Sequence, residues 1–292
     1  MRGRHDRVLT LAAATMLAAA PIAGSGFGDA SAQTSSVLAR YDFEAAPAFR
    51  WKLPRALDEI SGLATDSSGR LFAHDDERAI IYELDPAARR IVKRFAFGRP
   101  AVRGDFEGIA VVDDRVFLTT SDGVVYAGRE GRDGESVSFA SHATGIGRRC
   151  EVEGLSWDEG AQSLRFACKV PRAEGLRGQL AVFEWSPVGI RPSDAPSISI
   201  PLAPIVQRVG HSAVYPSELL RDPSTGHLLL LAARARAIIE ITAAGAVVDV
   251  ARLRAGLHRQ AEGLAFGRDG TLLVSDEADG ARATLTGYRP VR

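Results

Sequence analysis

An excess of charge of either sign is missing from this 292-residue chain: 36 Lys and Arg balance 36 Asp and Glu. Nucleic-acid binding needs a clustered basic surface to neutralise phosphates, and the basic residues here are scattered, so that class of partner is set aside. Helical periodicity is missing too. After residue 32 no apolar segment of useful length recurs at helical spacing, which removes helix bundles and α/β folds from consideration. No apolar run reaches the roughly 20 residues of a membrane span; Val8 to Ala23 is too short and contains Pro21. The histidines show no H-x-x-x-H spacing, so a catalytic zinc is not expected. Cysteine is scarce, with Cys150 and Cys168 alone.

The first residues carry a basic start at Arg2, Arg4 and Arg7, an apolar run from Val8 to Ala20, and an A-x-A site at Ala30-Ser31-Ala32. That order is a secretory signal. Residues 1–32 are therefore expected to be a signal peptide and 33–292 one domain, since no linker composition divides it. The expected destination is the periplasm or the medium, with no transmembrane segment after signal removal. An oxidising compartment suits a disulfide between the two cysteines. A hairpin turning near Asp158 to Gln162 sets Cys150, just ahead of one strand, beside Cys168, at the end of the next.

What the chain does contain is a repeat. EISGLA (59–64), DFEGIA (105–110), EVEGLS (151–156), PSELL (216–220) and AEGLAF (261–266) each begin a short apolar strand with a polar residue. Aligning Ser61, Glu107, Glu153, Ser217 and Glu262 gives intervals of 46, 46, 64 and 45 residues. A strand-only period in the forties marks a β-propeller, an all-β fold with four strands to each blade. Five blades are preferred to six, because Pro187, Pro192, Pro196, Pro201 and Pro204 make the long interval read as an inserted loop. In the first repeat the strands are expected at 60–65, 71–74, 80–84 and 91–97. The fifth repeat ends before its fourth strand, so the segment Val37 to Phe43 is expected to complete the last blade and close the ring.

Side chains two apart on a strand share a face, and the strand nearest a propeller's axis begins each blade. Glu59, Asp105, Glu107, Glu151, Glu153 and Glu262 are thereby expected to gather as carboxylates around the channel. Such a ring needs a counter-charge, and a hard cation taking oxygen ligands supplies it; calcium is the expected ion, with Glu107, Glu153 and Glu262 leading as ligands. The structural alternative is that these residues bond the neighbouring blade's backbone. A second acidic group ends the following strands, at Asp75-Asp76-Glu77, Asp122 and Asp276-Glu277, with Lys169 at the equivalent place in the third repeat. These either form turns or line the channel mouth. His211 and His258 precede the fourth and fifth motifs and are the candidates for a general base if the protein is a hydrolase. Ser61 and Ser217 lack a G-x-S-x-G elbow, which argues against a serine nucleophile.

The segments EISGLA, LFAHDDE, IIYELD, GDFEGIAVVDDRVFLTTSDGVVY, CEVEGLSWD, LRFACK, PSELLRDPSTGHLLLL and AEGLAFGRDGTLLVSDE resemble, in order, the SdiA-regulated family of bacterial exported propellers. The resemblance implies a β-propeller and a calcium site mapped onto Glu59, Glu107, Glu153 and Glu262. Ser61, Ser217 and Glu218 depart from the family's pattern, which puts any ion off-centre, toward the second, third and fifth blades. The expected function is a calcium-binding, ligand-binding or scaffold propeller of the cell envelope, monomeric, meeting a small molecule or an envelope component. The alternative is a calcium-dependent hydrolase of an ester, lactone or phosphoester.

Overall fold

The computed structural model describes residues 35–188, 193–212 and 214–291, so the expected signal peptide lies outside the described residues. Five sheets account for nearly all of the regular structure, antiparallel throughout except where the short strand Ser136–Val137 pairs parallel with Arg90–Phe97. The innermost strands are Ile60–Thr65, Phe106–Val112, Cys150–Asp158, Glu218–Arg221 and Ala261–Phe266, numbered here as blades one to five. Each packs beside the next, and the fifth packs back beside the first, closing the ring. The fold is the five-bladed propeller that the repeat predicts.

Blade one shows how local sequence sets the strands. Ile60–Thr65, Leu71–Asp75, Ile80–Asp85 and Arg90–Phe97 follow one another as a meander, within a residue or two of expectation. The first turn is built by Asp66, whose carboxylate accepts from the Ser68 and Arg70 backbone N–H groups at 3.0 and 2.9 Å. Gly69 completes it at φ +81°. Between blades, the faces interlock as separate apolar clusters. Phe72, Ile81 and Phe95 of blade one meet Phe106, Ile109 and Leu118 of blade two, all buried. Each sheet is thus covered on both faces, which explains apolar runs such as Leu228–Ala232 that do not alternate.

The ring closes by a different segment from the one expected. The fourth strand of blade five is Phe49–Lys52, paired antiparallel with Thr284–Tyr288, Phe49 opposite Gly287 and Lys52 opposite Thr284. Val37 to Phe43 contains instead a 3-10 turn, Leu38–Arg40. The buried Glu240 carboxylate accepts from the Val37 and Leu38 backbone N–H groups at 2.9 and 3.0 Å, fixing that turn. Val37, Leu38, Tyr41 and Phe43 are buried against blades four and five, and the segment's pairing is limited to one antiparallel bridge, Tyr41 with Pro290, so their apolar character mainly serves packing.

Among its described residues the long interval holds no sixth blade. It contains blade three's outermost strand, Ile198–Pro201, and then one α-helix, Leu202–Val209. The sequence did not indicate this helix, because Pro201 and Pro204 flank and enter it. Pro204 sits in the first turn, where its missing N–H has no intrahelical partner to lose. Cys150 and Cys168 are disulfide-bonded, 5.7 Å apart at Cα, across the hairpin of Cys150–Asp158 and Ser163–Pro171.

Candidate functional site

The repeated polar position owes its direction to a defect in pairing. In blade one the register skips between Ile60 and Gly62, in blade two between Phe106 and Gly108, and in blade five between Ala261 and Gly263. The skipped residues are Ser61, Glu107 and Glu262. In blade three the irregular stretch runs from Val152 to Leu155 and includes Glu153. A bulged residue has no opposite partner and its side chain is re-aimed out of the strand's alternation. The glycine that follows admits the neighbouring strand: a Cβ on Gly154, at φ +86°, would lie 2.6 Å from the Leu219 nitrogen, and one on Gly108 would lie 2.7 Å from Leu155 Cβ. Bulge and glycine together crowd the inner strands around the axis and turn the glutamates into one group.

That group is Glu107, Glu153 and Glu262 around the Lys169 ammonium. Lys169 Nζ is 2.6 Å from Glu153 Oε2. Burial pushes the Glu107 carboxyl up to about 8, aided by the Glu153 charge; Glu153 rises to about 8 through burial and Glu262. Glu262 is also raised to about 8, by burial and by Glu277 and Glu107 against the pull of Lys169. Burial works against the Lys169 ammonium, yet Glu153, Glu107 and Glu262 outweigh it and hold its pKa above the ordinary value. Outside this cluster lie Asp76, raised to about 6 by burial, Asp75 and Glu59, and Glu277, raised to about 7 by burial and Glu59. One end of the axis is therefore an acidic mouth with a single lysine in its centre.

Below the mouth Glu218 takes the place that glycine holds in the other blades. It is fully buried, and its carboxyl accepts from Leu63 N of blade one, Leu155 N of blade three and its own neighbour Leu219 N, at 3.2, 3.2 and 2.9 Å. Burial pushes its pKa well above the usual carboxylate range despite those donors. A neutral side chain bonded to blades one and three thus fills this stretch of the axis.

The family model described as SdiA-regulated matches residues 38–279. The chain belongs to the SdiA-regulated family. No curated protein matches its sequence. Among solved structures, this SdiA-regulated chain is similar to the glutaminyl cyclase of Myxococcus xanthus, at 16% identity and TM-score 0.55, covering 85% of this chain and 97% of that one. It is also similar to the PQQ-bound aldose sugar dehydrogenase of Streptomyces coelicolor, at 14% identity and TM-score 0.53, covering 84% and 99%. At such identities the likeness concerns the fold alone.

Within this SdiA-regulated propeller the other expected site residues divide. Glu59 and Asp105 are exposed and stand outside the central group; Asp105 accepts from Ser121 Oγ. Asp75 and Asp76 are half-buried at the mouth, each with one buried oxygen lacking a protein partner. Asp122 is 74% exposed at its side chain and pairs with Arg172 at 2.9 Å. Asp276 does not face the mouth. It is buried and meets His258 Nδ1 at 2.9 Å, while His258 Nε2 meets the Tyr288 hydroxyl at 2.7 Å. Its neighbour Glu277 is the mouth residue of that blade. His258, fully buried with both ring nitrogens engaged, is not available as a base; His211 is exposed, just past the helix that packs on blade four's outermost strand. The two serines take the structural role: Ser217 Oγ donates to the Ala261 carbonyl at 2.9 Å, and Ser61 Oγ to Glu107 at 3.4 Å.

The donors at the mouth fit calcium in kind, being carboxylate oxygens. Their placement fits less well. Among the described residues no three His, Cys, Asp or Glu side chains converge as a ligand shell, and Lys169 is already paired with Glu153 at 2.6 Å. Those glutamates are the residues that would hold the ion, and it would have to compete with the lysine for them.

Proposed function

We propose that this protein is an exported binding propeller of the cell envelope that takes a cationic group at its acidic mouth, with calcium as the inorganic ion concerned. The observation that carries this reading is an excess of acid: the buried Glu153 and the half-buried Glu107 and Glu262 share one ammonium, and their raised carboxyls are short of counter-charge. A divalent ion bound there with Lys169 retained would balance them. Asp76 and Glu277 extend the negative field outward and would attract a cation before it reaches the glutamates. The hydrolase alternative needs a base beside the ion, and His258 cannot serve.

Thermal shift and calorimetric titration with CaCl₂ test the reading on three forms of the protein. Lys169→Met removes the competing ammonium and is expected to bind calcium at least tenfold more tightly than the wild type. Glu153→Gln is expected to abolish binding. A Lys169→Met protein that is folded and indifferent to calcium rules out the ion.

A further inference from the structure

The other end of the axis has the opposite character. Four residues beyond the glutamate position, or about 13 Å along an extended strand, the five inner strands surround a cavity of about 540 Å³ to which every blade contributes. That volume lies in the range of small-molecule sites. The space follows from side-chain size. At the third residue past the repeated position Ala64, Ala110, Ser156 and Leu220 line it, three of them small. At the fourth stand Trp157 and Phe266, half-buried, which give the cavity aromatic walls. Trp157 is held on both sides: its ring stacks on Phe117 at 3° between planes, and its Nε1 donates to Glu159 at 2.8 Å.

The rim is polarised. Arg221 of blade four and Arg268 of blade five line one side. Arg268 is exposed and makes no ion pair among the described residues; its stem lies against Gly69, whose added Cβ would be 2.7 Å from Arg268 Cβ. Arg221 has one carboxylate partner, Asp158, at 3.4 Å, and shares it with Arg165, which takes the shorter 2.8 Å contact. Two guanidinium groups on adjacent blades thus keep N–H donors to spare. The acids of the rim are more fully committed, Asp66 to Arg70 and Ser68, Glu159 to Trp157 and Gln162. Asp113 stands away from the arginines, on blade two.

We infer that this second mouth binds a small apolar carboxylate, its body between Trp157, Leu220 and Phe266 and its carboxylate on Arg268 and Arg221. Guanidinium forks suit planar carboxylates, and the half-buried apolar walls gain by covering. The filled axis at Glu218 separates this site from the acidic mouth, so the two bind independently.

Calorimetric titration with octanoate and 4-phenylbutyrate, and with 4-phenylbutanamide as the neutral counterpart, tests the inference on the whole protein. The carboxylates are expected to bind one to one and at least tenfold more tightly than the amide. Arg268→Glu, an exposed change whose folding is checked by circular dichroism and urea midpoint, is expected to weaken binding at least tenfold. Glu153→Gln is expected to leave it unchanged, which separates this site from the calcium reading. Carboxylates that do not bind at 1 mM, an amide that binds as well, or a folded Arg268→Glu protein that binds equally well would each overturn it.

Discussion

At the residue scale the glutamates and their gathering at the axis were legible because they recur; that Glu59 and Asp105 stay outside the group was not, because a bulge is a mismatch between two strands that neither strand's sequence displays. Glu218 is the reverse case. Its departure from the glycine pattern was visible, but its role required the positions of Leu63 and Leu155, which come from blades far apart in sequence. Asp276 and Glu277 are adjacent, so sequence placed both at a strand end; burial of Asp276 against His258 decided which one faces the mouth. The raised carboxyls at the mouth have a consequence for stability. Between the ordinary value of 4.5 and about 8, Glu107, Glu153 and Glu262 bind protons in the folded protein that the unfolded chain has released. Their contribution is therefore fully present below about pH 4.5 and is lost as pH rises toward 8. Urea midpoints measured without divalent ions should fall across that window, and Glu153→Gln should flatten the fall. A rise through the same window in the wild type would contradict the assignment.

At the scale of elements, strands were legible wherever a turn residue bounded an apolar run, as at Asp66 and Gly69. Two elements escaped. The helix Leu202–Val209 was hidden by prolines tolerated only in its first turn, and Val37 to Phe43 has a strand's composition but is fixed as a turn by Glu240, a residue two hundred positions away. The disulfide joins two strands of one hairpin, its cysteines 18 positions apart. Loop closure of that length stabilises by about 3 kcal/mol in the chain-entropy model. The double variant Cys150→Ser/Cys168→Ser should lose roughly that much in urea denaturation, at about unchanged m-value, and reduction of the wild type should do the same. A loss confined to a few tenths of a kcal/mol would mean that the hairpin's ladder and core already fix the strands.

At the scale of the molecule, the blade number and the fact of closure were both legible, from the spacing and from the missing last strand. The identity of the closing segment was not, since Phe49–Lys52 is four residues long and lies between Pro47 and Pro54. Truncation distinguishes the two segments. A chain beginning at residue 53 lacks the strand that pairs with Thr284–Tyr288 and should not show cooperative unfolding by circular dichroism. A chain beginning at residue 46 keeps the ring and should unfold cooperatively at a lower midpoint, having lost the buried Val37, Leu38, Tyr41 and Phe43. Equal behaviour of the two chains would show that closure does not depend on that strand.

The composite fifth blade also sets a timetable. Phe49–Lys52 leaves the ribosome more than two hundred residues ahead of Thr284–Tyr288, its one sheet neighbour among the described residues. At ordinary rates of synthesis that delay is roughly ten to fifty seconds. For all of that time a short β-prone segment waits without its partner, open to pairing with other chains. Its sequence alternates Phe49 and Trp51 with Arg50 and Lys52, and like charges on two such segments repel when they meet edge to edge. The two basic residues thus protect the nascent chain during a period that the finished propeller no longer records.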